Sequence, residues 1–119
     1  MDEAILLPIL RQLCLGLPEV RETVKWGHPT FEAGKKAFAV LDHYDRQPCI
    51  AFRTALEKRE ALLADERFFE APYDAQFGWM CLHDEAIERT ELGELLRVSY
   101  RLVALERMLS ALDSQGTSA

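Results

Sequence analysis

The chain has 119 residues, 49% hydrophobic and 29% charged, with a formal net charge of −6. That size fits one domain that buries roughly two-thirds of its unfolded surface. Its apolar runs fall far short of the ~20 residues that span a membrane, and its acidity opposes non-specific binding to nucleic acid or anionic membranes.

The start, Met1-Asp2-Glu3, is acidic where a secretory leader is basic, so the expected location is the cytoplasm. From there Leu6, Ile9, Leu10, Leu13 and Leu17 share one helical face, which predicts a helix over 2–15 with Asp2 as N-cap and Gly16 as stop. Pro8 removes a backbone donor inside that pattern, so a bend is expected there. Four short strands follow: Glu22–Trp26, Thr30–Ala33, Lys36–Leu41 and Cys49–Arg53. Gly34-Lys35 reads as a tight hairpin turn, because Gly supplies positive φ, and Asp42–Pro48 reads as a polar loop. Thr54 is the expected cap of a helix over 55–64, with Leu56, Leu62 and Leu63 turned inward.

Arg67–Ala71 and Trp79–His83 have β character, separated by a loop over Pro72–Gly78. A closing helix capped by Thr90 or Asp84 carries the stripe Leu92, Leu95, Leu96, Ser99, Leu102 and Val103. Past Ala104 the apolar set becomes Leu105, Met108, Leu109 and Leu112 and rotates around the axis. Fraying or a bend explains this, with a weak self-association surface over Leu105–Leu112 as the alternative to a plain monomer. Residues 113–119 are expected to be a disordered tail after a single domain over 1–112. Short hairpins make the early strands antiparallel, and helices must cover one sheet face. The fold class is therefore an α+β two-layer sandwich, an antiparallel sheet with helices on one face.

Leu17-Pro18-Glu19-Val20, Trp26-Gly27-His28-Pro29-Thr30-Phe31 and Gly34-Lys35-Lys36-Ala37-Phe38-Ala39 resemble the opening of YjbR-like (MmcQ/YjbR) proteins. Phe68-Phe69 with Pro72-Tyr73, Gly78-Trp79-Met80, Leu95-Leu96 and Ser99-Tyr100-Arg101-Leu102-Val103-Ala104 resemble that family's later strands and closing helix. The resemblance spans about residues 10 to 104. It implies the order α-β(3)-α-β(2)-α, akin to secretion chaperones, with Glu22–Trp26 and Thr30–Ala33 as pieces of one bent strand. It also implies DNA binding through a double-wing arrangement of hairpins, by fold-level analogy, and brings no catalytic residues.

The residues offer little chemistry for catalysis, and no enzyme activity, metal or cofactor is expected. His28 has no His or Cys partner at ligand spacing and is read as bonding its own loop. Cys14, Cys49 and Cys81 are scattered, as buried reduced thiols are. No serine sits in a Gly-x-Ser-x-Gly turn, and there is no phosphate-binding Gly-rich loop. Two binding surfaces remain. Residues 21–59 hold eight Lys/Arg against five Asp/Glu, in contrast to the acidic remainder. Lys25, Lys35, Lys36, Arg46, Arg53, Lys58 and Arg59 are the candidate contacts to nucleic acid backbone, weak and salt-dependent. The alternative is a protein- or small-ligand groove using Trp26, His28, Phe31 and Trp79, with Phe77 as a further aromatic beside a Gly. Sealing of the core's open end explains the same aromatics.

Overall fold

Strands joined by connections as short as these can pair with their chain neighbours only by turning back antiparallel. A computed structural model describes residues 3–44, 46–71, 78–83 and 88–117. The chain runs α1 (Glu3–Leu15), β1 (Arg21–Lys25), β2 (His28–Ala33), β3 (Lys36–Tyr44) and β4 (Gln47–Arg53). A 3-10 turn (Leu56–Lys58) leads into α2 (Arg59–Leu63), followed by β5 (Phe68–Glu70), β6 (Trp79–His83), α3 (Arg89–Val103) and α4 (Glu106–Thr117). The strands form a six-stranded antiparallel sheet in the order β1-β2-β3-β4-β6-β5.

The α+β class with helices on one face is the one expected, but four strands precede α2. Glu22–Trp26 and Thr30–Ala33 are not one bent strand. Lys25 pairs with His28 across a two-residue turn in which both Trp26 (φ 56) and Gly27 (φ 79) are left-handed, the pattern of a type I′ hairpin. The expected polar loop over 42–48 is likewise mostly strand, since Asp42, His43 and Tyr44 pair with Cys49, Pro48 and Gln47.

The helix-facing side holds the main core: Leu6, Leu10 and Cys14 of α1, Phe31, Phe38, Leu41, Ile50, Phe52, Met80 and Leu82 of the sheet, and Leu92, Leu96 and Tyr100 of α3. Burying one such side chain stabilises the fold by about 1.5–3 kcal/mol. Phe38 and Ala39 are both fully buried because the β2–β3 register slips there: Phe31 pairs with Ala39 and Glu32 with Ala37. Phe38 is the extra residue of that β-bulge. Two polar anchors tie α3 down. The Ser99 hydroxyl donates to the Arg53 carbonyl, and the Tyr100 hydroxyl donates to the Pro18 carbonyl at 2.9 Å.

The helix α1 continues through Pro8, whose side is exposed, and includes the buried Leu6 as expected. Several other local expectations need correction. Thr54 caps no helix. Its N–H donates to the Gly78 carbonyl at 2.7 Å, and of the three leucines only Leu62 packs on the core, with Leu56 and Leu63 exposed. Glu88 takes the N-cap position of α3, with Thr90 inside the helix. At Ala104 the backbone turns extended (φ −65, ψ 146), and a separate α4 begins two residues later. That break is the bend expected there, and it lets the rotated apolar set face inward, so that Met108 and Leu112 join the core. The helix α4 runs to Thr117, so residues 113–117 are helical where a tail was expected. Asp2, Asp84, Phe77 and the loop at 72–77 lie outside the described residues.

Candidate functional site

Period-2 alternation sends every second strand residue to the sheet face away from the helices. The registers put Thr23, Lys25, His28, Thr30, Val40, Asp42, Tyr44, Cys49, Ala51, Phe69, Trp79 and Cys81 there. A second, smaller apolar cluster forms on this open side from Cys49, Ala51, Ala71 and Cys81, flanked by Val40, Tyr44, Phe69 and Trp79. Small side chains in mid-sheet and large ones around them leave a groove of about 220 Å³. Lys25, Trp26, His28 and Asp42 form one corner of it, and Ala37, Ala71 and Trp79 the other.

Trp26 sits in the β1–β2 turn with 96% of its surface exposed. A bulky residue at positive φ costs roughly 1–2 kcal/mol, so this indole is held in the open by an unfavourable backbone. Trp79 lies at the far end of the face, opposite Arg53, whose guanidinium stacks over the indole at 4.9 Å and donates to the Ala37 carbonyl at 2.7 Å. The two tryptophans thus come from opposite strand ends and line the same groove from either side. Phe31 does not take part. Its neighbour Thr30 faces the groove, so Phe31 points into the core and is 0% exposed.

His28 reaches across to β3 rather than bonding only within its own loop. Its Nε2 lies 3.4 Å from Asp42 Oδ1, which also accepts the His43 backbone N–H at 2.7 Å. Lys25 donates to Glu32 at 3.1 Å, and Thr23 donates to the other oxygen of the same carboxylate. Burial pushes Glu32 up, but these two bonds outweigh it and hold its carboxyl below the ordinary value. Tyr44 packs edge-on against Phe69 at 5.8 Å. Burial, then the neighbouring Cys81, Asp42 and Cys49, push its phenol up. The three cysteines are buried thiols. Among the described residues no group of three His, Cys, Asp or Glu could hold a metal ion.

The sequence model of the YjbR family matches residues 15–102. The chain belongs to the YjbR family. A crystal structure of a Deinococcus radiodurans protein with the domain DUF419 superposes with a TM-score of 0.69 at 23% identity, covering 87% of this chain and 85% of that one. A Pseudomonas syringae protein superposes with a TM-score of 0.67 at 13% identity, covering 87% of this chain and 99% of that one. These likenesses carry the fold alone. No curated protein sequence matches the chain significantly. Among the described residues no helix is long and apolar enough to cross a membrane.

In this YjbR domain the candidate cations are dispersed. Lys35 and Lys36 sit at the β2–β3 turn, and Arg46 at the other end of the nine-residue β3, about 27 Å away. The β2–β3 turn is no free wing, because a Cβ at Gly34 would meet the Val103 carbonyl at 3.1 Å and Leu105 at 3.4 Å. Lys58 ends the 3-10 turn, and Arg59 of α2 is paired with Glu70 at 2.7 Å. Only Lys25 and Arg53 are on the open face, and both are engaged there. Sequence reasoning missed Asp42, Tyr44 and the small-residue floor. The available signal was the alternation Val40-Asp42-Tyr44 continuing past Leu41, hidden by the polar look of 42–48.

Proposed function

We propose that this YjbR domain is a non-catalytic binding module whose ligand lies in the groove on the open sheet face. The observation that carries this is Trp26, fully exposed and left-handed at a turn where Asn or Gly would be relaxed. Strain at an exposed aromatic points to a use outside the fold itself. The groove beside it supports the reading: aromatic ends, a floor of Ala and Val, and a few polar groups at one corner.

Contact with nucleic acid backbone is the weaker reading. It calls for several cations on one surface, whereas Lys25 and Arg53 are engaged on the open face, Arg59 is paired with a carboxylate, and the remaining four are spread over three separate turns. Fluorescence anisotropy with single-stranded and duplex oligonucleotides at low salt, set beside tryptophan fluorescence with small aromatic probes, tests the choice. Probe-induced tryptophan shifts without oligonucleotide binding are expected. Salt-dependent oligonucleotide binding lost on changing Lys35 and Lys36 to Glu would reverse it.

A further inference from the structure

The groove's charges are unevenly satisfied. Lys25 is neutralised by Glu32, and Arg53 is spent on the Ala37 carbonyl and the Trp79 ring. Neither is poised to meet an incoming anion. Asp42 differs. Both of its contacts, from His28 and from the His43 backbone N–H, are at Oδ1, and Oδ2 has no partner among the described residues. That half-satisfied carboxylate shares the groove lining with Trp26 and Tyr44, and it keeps 24% of its side-chain surface exposed. A carboxylate oxygen with spare acceptor capacity beside electron-rich rings suits a cation, through direct charge attraction and the ring quadrupole together.

The far corner has the opposite preference. One face of Trp79 already carries the Arg53 guanidinium, so a second cation stacked on that indole is disfavoured, while an uncharged body is welcome. Ala37, Val40, Ala51 and Ala71 supply an apolar path between the corners.

We propose that the groove takes a small organic cation. Its ammonium head sits against Asp42 beside Trp26 and Tyr44, and its apolar or aromatic body lies along the alanine floor toward Trp79. This rests on the groove reading above and adds the charge and orientation of the ligand.

The chain has two tryptophans, both on the groove, so their indole N–H signals in a proton–nitrogen NMR spectrum report on its two ends. Benzyltrimethylammonium, benzyl alcohol and benzoate are titrated into the full chain at millimolar concentrations. Saturable shifts of both indoles are expected, with the cation bound about tenfold more tightly than the alcohol and benzoate weakest. Asp42→Asn keeps the Oδ1 acceptor and should collapse the cation-to-alcohol ratio toward one. Trp79→Leu should weaken both ligands and keep the ratio. Trp26→Asn, at a fully exposed site that does not endanger folding, should weaken the cation more than the alcohol. Equal or tighter binding of the alcohol or benzoate, or a ratio untouched by both Asp42→Asn and Trp26→Asn, overturns the cation assignment while leaving the groove. Indole signals that respond to none of the three probes overturn the groove reading with it.

Discussion

The two faces of the sheet are built from the same strands and do different work. On the helix side Phe31, Phe38, Phe52, Leu41 and Met80 meet α1, α3 and α4, and all are at most 1% exposed. On the open side the same strands contribute Thr30, Val40, Ala51 and Cys81, smaller or more polar residues with no helix over them among those described. Among the described residues, large aromatics appear there only at the rim: Trp26, Tyr44, Phe69 and Trp79. Packing selects volume on one face, and the other keeps a hollow. Folding stability should therefore reside on the first face and, under the proposed groove binding, ligand selectivity on the second.

The largest break in that comparison should come from the helix side. Phe31→Ala removes a fully buried ring and is expected to cost about 3–5 kcal/mol, read as a lower urea midpoint. Trp79→Leu on the open face should cost well under half of that. Next comes Gly78→Ala at the start of β6. Gly78 is at φ +91, and a Cβ would lie 2.6 Å from the Thr54 carbonyl oxygen, so about 2 kcal/mol should be lost with a displaced Trp79.

Trp26→Asn should go the other way. It converts the turn to Asn-Gly and should stabilise the hairpin by about 1 kcal/mol, measured by urea denaturation, while weakening groove binding. A stability loss on that substitution would mean that Trp26 serves the fold, and the contrast between the faces would blur.

The smallest effect is electrostatic. Arg11 holds Glu22, and Arg67 holds Glu91, below the ordinary carboxyl value of 4.5, as the Lys25 and Thr23 bonds do for Glu32. A carboxyl lowered on folding adds stability above that value and loses it as the pH falls through the folded one. The melting temperature should hold from pH 7 to about 5 and decline below it. Arg67→Gln should flatten part of that decline, because Glu91 then titrates nearer its unfolded value.

Much of this was legible along the chain. Leu6 and Leu10, then Leu92 and Leu96, announce helices with one buried face, and the alternations through Lys25 and Arg53 announce antiparallel strands. The short-range YjbR-like segments agree with the family match over 15–102. Trp26, His28 and Trp79 stood out because each is an unusual residue beside a Gly, at a strand end. Local chemistry dictates these things, since helix and strand periods and turn residues act over fewer than ten positions.

Which residue meets which depended on register. A single extra residue at Phe38 turned Val40, Asp42 and Tyr44 to the open face and made Asp42 the neighbour of His28. Phe31 and Thr30 are adjacent in the chain, yet one is core and the other groove. The lysines clustered at 35–36 look like a wing until Val103 and Leu105 are found behind their turn. Charges that add up to a basic segment in one dimension separate in three, because antiparallel strands carry successive turns to opposite ends of the sheet. Composition and period set the elements, whereas the pairing of distant strands chose the face each side chain shares and the partner that satisfies it.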